Sequence, residues 1–365
     1  MLSDNWTVEV LRCPSCLSNL RLQVDKLVQN SILSGYFQCL GCGTQYAIRD
    51  GMGFFGMRQS ERDKRLQEMN AEFEWNFEMH GFQDHQAFGE RSFRIAQDVI
   101  RVMKQELPFG RVLDAGAGGG CHSWQLSRHG YEVLAAELTP EMLAVGDSYY
   151  ADGVYFERIL SDCTVLPIAN NTFDAVFCKE LAHHVKDLGA LFGEFNRVLK
   201  PRGLLILVEP IKSGRPGLNT LGDPAKQAGL THQDYTLAHY SKALRQNGFG
   251  VSRARHSRRP INKRYRVLHS VDLLSTRLFA LNQWGALSAA LLFRSWLVGG
   301  EIAIIARRET LSRTCAGSRE IECLPANRLE LAAASIAAMR SQQASLLPLL
   351  RKVYSEQSSA ALIDP

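Results

Sequence analysis

The sequence predicts an α/β fold that is built on a doubly wound, mostly parallel sheet. Three observations predict this fold. Short apolar runs alternate with amphipathic helical segments through the middle of the chain, as strands and helices do in such proteins. The runs are continuously apolar, which is typical of strands that are buried on both faces. A glycine-rich turn separates the first run from a helical segment, and such a turn belongs at the carboxyl edge of the sheet.

The first strand is predicted at 111–113, and the sequence Asp-Ala-Gly-Ala-Gly-Gly-Gly follows it at 114–120. Glycine has no Cβ, so it permits a tight turn and lets a ligand approach the backbone closely. The helix that begins behind the turn offers free N–H groups to a polar ligand. The next apolar run, 131–136, is closed by Glu137. An acid at that distance from the turn is where a nucleoside ribose would be held.

The later elements alternate in the same way. Asp162 follows a predicted strand at 154–160, and a polar turn precedes a short apolar strand at 175–178. A helix over 188–199 is stopped by the Lys-Pro-Arg-Gly sequence at 200–203. The remaining predicted elements are a strand at 203–210, a helix at 236–247, and strands at 249–255 and 301–307.

The glycine-rich turn and the acid that closes the second strand resemble the S-adenosylmethionine (SAM) site of class I methyltransferases. The dinucleotide-binding dehydrogenases are the near alternative, but their G-x-G-x-x-G pattern needs a third glycine where this chain has Cys121. The resemblance covers 95–308 and implies a Rossmann-like sheet of seven strands and a SAM-dependent methyltransferase. The residues that it implies for cofactor binding are Asp114, Gly116, Gly118, Gly120, Glu137, Asp162, Cys163 and Lys179.

Two neighbouring histidines, His183 and His184, are the candidate catalytic residues. They lie in the loop after the fourth strand, 179–185, at the edge where the methyl group would be presented. Imidazole titrates near neutral pH and can act as a general base for a hydroxyl or amine acceptor. The alternative is that these side chains only hydrogen-bond within the loop. Glu180 and Glu209 are also predicted to face this cleft.

Four cysteines near the N-terminus form two C-x-x-C pairs that are separated by 22 residues. Their spacing suits a tetrahedral zinc ion, and a site closed by four thiolates is structural rather than catalytic. The segment resembles zinc-ribbon modules that are fused to, or partnered with, some methyltransferases. The alternative is two disulfides, but residues 1–6 show no signal-peptide pattern, so we expect a cytoplasmic protein with reduced thiols. The predicted zinc ligands are Cys13, Cys16, Cys39 and Cys42.

The chain of 365 residues is long enough for two or three domains. The apolar stretch 286–300 is interrupted by Arg294 and is too short to span a bilayer, so no transmembrane segment is expected. The C-terminal tail is predicted to pack on the core or on a second subunit, which leaves a homodimer open. The predicted organisation is a zinc ribbon at 1–57, a helical linker or lid at 58–94, the SAM-binding domain at 95–308 with a helical insertion at 260–300, and a helical tail at 309–365.

The stretch 252–266 is strongly basic, with seven Arg or Lys residues and no acid. It could hold a phosphate backbone, a phosphorylated or sugar-nucleotide substrate, or an anionic membrane face, or it could be a solvated loop. The net charge of +5 is far from that of a dedicated nucleic-acid binder. The fourth strand also lacks the Asn/Asp-Pro-Pro-aromatic box of the adenine and cytosine N-methyltransferases that act on nucleic acid.

The predicted function is therefore the transfer of a methyl group from SAM to a small-molecule or glycan acceptor, on oxygen. One alternative is an RNA methyltransferase, because the order of ribbon and SAM domain resembles that of the bacterial ribosomal-RNA guanine methyltransferases with a four-Cys zinc ribbon. A second alternative is a non-catalytic SAM-binding scaffold whose ribbon binds a partner.

Overall fold

The computed structural model describes residues 6–28, 31–56, 99–147, 154–212, 233–256 and 300–309. The predicted linker or lid at 58–94 lies outside these residues, as do almost all of the predicted insertion at 260–300 and of the tail at 309–365. Of the basic stretch 252–266, only 252–256 is described, as part of a strand. The predicted domain boundaries remain predictions.

A single mixed sheet of eleven strands organises the described residues. The strands are β1 Leu20–Val28, β2 Ser31–Cys39, β3 Gln45–Arg49, β4 Met52–Phe55, β5 Arg111–Ala115, β6 Glu132–Glu137, β7 Glu157–Ser161, β8 Phe173–Lys179, β9 Leu199–Ile211, β10 Phe249–His256 and β11 Gly300–Arg308. Their spatial order is β1-β2-β3-β4-β7-β6-β5-β8-β9-β11-β10.

The middle of the sheet, from β4 through β7, β6, β5 and β8 to β9, is parallel. Strand β11 runs antiparallel to both of its neighbours, and β1 to β4 form an antiparallel meander. The predicted α/β fold is confirmed. The predicted count of seven strands is not, because four N-terminal strands join the same sheet.

Helices cover both faces of the parallel region. In α5 the side chain of Asp187 accepts a hydrogen bond from Ala190 N and caps the helix, and the buried residues recur at helical spacing, as the sequence predicted. The helical segments are α1 Trp6–Val10, α2 99–106, α3 Cys121–Arg128, α4 Pro140–Val145, α5 Leu188–Val198 and α6 Leu237–Gln246. No helix of the described residues is both long enough and apolar enough to cross a bilayer.

Successive residues of each central strand enter two different cores. Leu113 and Leu205 pack in the cluster that also contains buried residues of α5 and α6, whereas Val112 and Ile206 pack in the cluster with residues of α2 and α3. Because side chains alternate along a strand, burial of both faces requires the continuous apolar runs seen in the sequence.

The N-terminal module is bonded directly to the edge of the parallel sheet. Strand β4 pairs in parallel with β7, with Phe55 opposite Ser161. A second contact lies just beyond β7, where Arg12 N donates to Pro167 O at 2.8 Å and Ala169 N donates to Val10 O at 2.8 Å. The chain from 161 to 169 is therefore held by the N-terminal module at both of its ends.

Candidate functional site

The glycine-rich turn after β5 has a backbone that only glycine adopts without strain. Gly116, Gly118 and Gly120 have φ values of 69°, 52° and 80°, in the left-handed region. Gly116 N and Ala117 N both donate to Ala136 O, at 2.9 and 3.1 Å. The turn is thereby fixed against the end of β6, beside Glu137.

The first two glycines of the turn serve different purposes. A Cβ on Gly116 would lie 2.8 Å from Cβ of Leu181, so this glycine allows close packing. A Cβ on Gly118 would have one described neighbour within 4 Å, the Cε atom of Met142 at 3.4 Å. As far as the described residues show, the turn thus leaves open space above Gly118, as a ligand that lies on the backbone requires.

Glu137 is buried at the end of β6 and ties the turn to the strand. Its Oε2 accepts from Gly118 N at 2.8 Å, and its Oε1 accepts from Leu138 N and Thr139 N at 2.8 and 3.0 Å. Burial raises the pKa of Glu137, and these N–H groups act in the opposite direction. A carboxylate has about four acceptor positions, so Oε2 retains one that a ribose hydroxyl could use.

Asp114 lies beside the turn at the end of β5 and is almost fully buried. Ser123 Oγ, from the first turn of α3, donates to its Oδ2 at 2.6 Å. Burial raises the pKa of Asp114 to about 7. The nearby charge of Glu137 also raises it, and the hydrogen bond from Ser123 lowers it. Sequence reasoning missed Ser123, although a serine three residues after a glycine turn is a suitable donor.

Asp162 and Cys163 follow β7. Oδ1 of Asp162 accepts from both the backbone N and Oγ1 of Thr164 at 2.8 Å, which fixes this carboxylate at the strand end. Cys163 is buried and contacts the backbone of Gly116, and burial raises the pKa of its thiol well above the usual range. Cys163 therefore borders the turn, and the roles of Asp162 and Cys163 in cofactor binding remain predictions.

Lys179 ends β8 and Glu180 follows it, next to the turn. Lys179 is buried, and its Nζ lies 2.7 Å from Oε1 of Glu180. Glu180 has a φ of 55°, a conformation that is costly for a residue with a side chain and that is concentrated at functional sites. The next residue, Leu181, packs against Gly116. The end of β8 thus lies over the first glycine of the turn.

His183 forms a buried pair with Glu209, at 2.8 Å between Nδ1 and Oε2. Glu209 is fully buried, and its Oε1 also accepts from Leu181 N and Ala182 N at 2.8 and 2.7 Å. This carboxylate is therefore the anchor of the whole loop, a role that the sequence did not reveal. A carboxylate beside Nδ1 favours the tautomer in which Nδ1 carries the proton and Nε2 the lone pair. The ring of His184 lies 4.0 Å from that of His183.

The site residues fall on two faces of one sheet edge. Neighbouring side chains on a strand lie on opposite faces of the sheet, so Asp114 is on the face opposite Leu113 and on the same face as Val112. Helices α2 and α3 cover this face. By the same rule, Glu209 on β9 lies on the same face as Leu207, which is the face of the sheet opposite Asp114. The cofactor candidates and the histidine loop therefore meet at the carboxyl edge rather than in one layer.

The four N-terminal cysteines converge on one point. Their sulfur atoms all lie within 4.8 Å of one another. The Cys13–Cys42 and Cys16–Cys39 separations are 3.6 and 3.4 Å, far longer than the about 2.05 Å of a disulfide. A tetrahedral zinc ion with Zn–S bonds of about 2.3 Å requires S–S distances of about 3.8 Å. The thiol cluster therefore fits zinc and does not fit two disulfides.

Hydrogen-bond donors surround these sulfur atoms. Gly41 N and Cys42 N both donate to Sγ of Cys39 at 3.3 Å, and the hydroxyl of Tyr46 lies 3.1 Å from Sγ of Cys13. Hydrogen bonds with Thr44 lower the pKa of Cys42 to about 6, whereas burial raises that of Cys39 to about 11. Donors directed at sulfur are the partners expected around metal-bound thiolates.

One family model matches the central part of the chain. Residues 113–207 match the family model that is described as a methyltransferase domain. This range begins within β5, contains the glycine turn, Glu137 and the histidine loop, and ends within β9. Every candidate cofactor residue of the sequence analysis lies inside it.

Curated relatives differ in the atom that they methylate. An uncharacterized methyltransferase of Mycobacterium sp. (strain JLS) is 29% identical over 46% of this chain and 65% of its own length. A phosphoethanolamine N-methyltransferase of Triticum aestivum is 31% identical over 40% of this chain and 30% of its own length. A ubiquinone biosynthesis O-methyltransferase of Xanthomonas oryzae pv. oryzae is 36% identical over 28% of this chain and 44% of its own length.

Each of these matches spans less than two thirds of the relative. Among solved structures, the geranyl diphosphate C-methyltransferase of Streptomyces coelicolor, in complex with S-adenosyl-L-homocysteine, is similar over 55% of this chain and 70% of its own. It has 18% identity and a TM-score of 0.40.

Proposed function

We propose that the protein transfers the methyl group of SAM to a hydroxyl group of a small-molecule or glycan acceptor. The observation that carries this proposal is the linked arrangement of the open turn at Gly118 with the buried carboxylates of Asp114 and Glu137 at neighbouring strand ends. SAM is a nucleoside with two ribose hydroxyls and a positively charged sulfur, so it needs both backbone access and acids.

Each end of this arrangement fits a different part of the cofactor. The remaining acceptor position of Glu137 suits a ribose hydroxyl, and the carboxylate of Asp162, one strand further along, suits the adenine amino group. Strands in a sheet lie about 4.8 Å apart. Glu137 and Asp162 therefore lie far enough apart for one to contact the ribose and the other the adenine. The match of 113–207 to the methyltransferase family supports the same assignment.

The pair of His183 and Glu209 favours a hydroxyl acceptor. In the transfer, the acceptor oxygen bonds to the methyl carbon while the S–CH₃ bond breaks, which leaves S-adenosylhomocysteine. The hydroxyl proton passes to Nε2 of His183, and the carboxylate of Glu209 stabilises the imidazolium that forms. Positioning of donor and acceptor would supply much of the rate enhancement.

The four cysteines would hold a structural zinc ion. Four thiolates complete a tetrahedral site and leave no open position for chemistry, and the bound ion would stabilise the fold of the N-terminal module. Between residues 6 and 56 the basic residues are nearly balanced by acids, so this module offers little attraction to RNA. The charged residues are Arg12, Arg21, Lys26 and Arg49 against Glu9, Asp25 and Asp50.

Acceptor assays with a ¹³C-methyl-labelled donor test the proposal. The full-length protein is incubated with labelled SAM and, separately, with hydroxylated small molecules, oligosaccharides, amines and total RNA. The proposal expects S-adenosylhomocysteine and an O-¹³CH₃ signal with a small molecule or glycan. Methylation confined to RNA would support the RNA alternative, and SAM binding without transfer to any acceptor class would support the scaffold.

A further inference from the structure

His122 is a third histidine near the glycine turn, separate from the pair His183 and His184. It is the second residue of α3, directly after the glycine turn. Its ring stacks on Phe177, with 5.4 Å between centroids and 26° between planes. Phe177 is fully buried and pairs with Asp114 across β5 and β8. The imidazole therefore lies between the turn and the end of β8.

The Nε2 atom of His122 is buried and has no hydrogen-bond partner among the described residues. Leaving such a group unpaired costs about 1–3 kcal/mol, and native proteins retain few such atoms. Stacking on Phe177 stabilises the position of the ring, but it gives the Nε2 atom no hydrogen-bond partner. A nitrogen of this kind beside an open turn indicates a polar ligand.

Charges near His122 indicate the kind of ligand. Burial, together with the charge of Lys179, lowers the pKa of His122 to about 3, so the imidazole is neutral at physiological pH. A neutral imidazole has one N–H donor and one acceptor nitrogen. Lys179 forms its ion pair with Glu180 in the same region. A cation, an anion and a neutral hydrogen-bonding group thus lie together, which suits a zwitterion.

The order of the strands places this polar group opposite the nucleoside end of the site. Asp162 follows β7 and Glu137 ends β6, whereas Lys179 ends β8, on the other side of β5. From β6 to β8 is two strand spacings, or about 10 Å. A donor whose ribose lies at Glu137 would therefore extend across the turn toward His122.

We infer that His122 Nε2 hydrogen-bonds to the amino-acid end of the bound methyl donor, beside the Lys179–Glu180 pair. This inference rests on the proposed function, because it assumes that SAM occupies the turn. The α-carboxylate and α-ammonium groups of the donor form the zwitterion that the three side chains complement. His122 thereby selects for an intact amino-acid end rather than for the nucleoside.

Two ligands that differ in this end provide the test. S-adenosylhomocysteine carries the amino acid, whereas 5′-methylthioadenosine has the same nucleoside and a thioether sulfur but lacks the amino acid. Titration calorimetry with the full-length protein compares the wild type with His122→Phe, which keeps the stacking on Phe177 and removes the nitrogen. We expect Kd for S-adenosylhomocysteine to rise about tenfold, while Kd for 5′-methylthioadenosine changes less than about twofold.

A second variant, His122→Gln, returns a polar nitrogen or oxygen to a similar reach and is expected to recover part of the affinity for S-adenosylhomocysteine. Near-UV circular dichroism checks that both variants are folded. Equal losses for the two ligands, or no loss for either, would overturn the role of His122 while leaving the proposed function intact. A wild-type protein that binds neither ligand would overturn the proposed function as well.

Discussion

Phe55 of the N-terminal module is paired with Ser161, the residue that directly precedes Asp162. The four-cysteine module therefore contributes the strand next to the one that presents a candidate adenine-binding carboxylate. The rings of Phe37 and Tyr46 lie 5.5 and 5.2 Å from that of Phe55, so the core of the module supports this pairing. We expect the metal centre and the cofactor site to be energetically linked.

Metal removal is the first test of that link. Cys13→Ser should release zinc, lower Tm by roughly 10 °C or more, and weaken binding of S-adenosylhomocysteine, because the strand beside Asp162 loses its support. Metal content, Tm and calorimetric Kd are measured together. Cys121→Ser, which lies outside the cluster, is the control and should keep its zinc. A metal-free variant with unchanged cofactor affinity would contradict the link.

Gly118→Ala tests the open face of the turn. The added Cβ fits against Met142 at 3.4 Å but enters the space above the backbone, so we expect SAM affinity to fall about tenfold or more while the protein remains folded. Gly130→Ala is the matched control: its φ is 89° and no atom of the described residues lies within 4 Å of its Cβ position. Both variants carry backbone strain, so similar SAM affinities in the two would argue against a ligand at Gly118.

The two histidines of the loop should differ in their effects. His183→Ala removes the side chain that Glu209 orients and should lower kcat about 10²-fold or more, with Kd for SAM nearly unchanged. His184→Ala should have a smaller effect, since Glu209 is hydrogen-bonded to His183. Single-turnover rates with the acceptor found by labelling provide the measurement. Equal, near-normal rates for both variants would show that the two histidines only stabilise the loop and that neither acts as the general base.

The raised pKa of Asp114 predicts that the stability of the cofactor-free protein depends on pH. The pKa of Asp114 is raised to about 7 in the folded state, whereas an unfolded Asp titrates near 3.9. Its stabilising contribution is therefore complete below about pH 4 and is lost as the pH rises through 7. Relative to Asp114→Asn, the wild type should lose up to about 4 kcal/mol of unfolding free energy over this range.

Urea unfolding of both proteins between pH 4 and pH 8 measures this difference. Asn at position 114 can still accept the hydrogen bond from Ser123, so the comparison isolates the charge. A difference between the two proteins that does not vary with pH would show that Asp114 titrates normally.

The parts of the site that sequence reasoning found are those that local spacing encodes. The glycine turn, the acid that closes β6 and the two C-x-x-C pairs are short patterns, and each occurs where it was predicted. The pairing of β4 with β7 joins residues about a hundred positions apart, and no local pattern reports such a contact. Glu209 was predicted to face the cleft, but its bonds to Leu181 and Ala182 depend on how the loop folds back, which no local pattern reports.

Element ends show the same limit. The strand predicted at 203–210 begins at Leu199 in the structure, because the Lys-Pro-Arg stretch that was predicted to stop the helix is already part of β9. A register shift between β8 and β9 accommodates this stretch, and Arg202 has a φ of 64°. Proline and glycine correctly marked the end of α5, but they did not show that the strand follows without a loop.

Equilibrium dialysis of the full-length protein against labelled SAM measures whether the glycine turn binds a methyl donor. We expect about one SAM bound per chain, displacement by S-adenosylhomocysteine, and no displacement by an equal concentration of NAD. A protein that retains no SAM, or that binds the nicotinamide dinucleotide in preference, would contradict the assignment of the turn between β5 and α3 as a methyl-donor site.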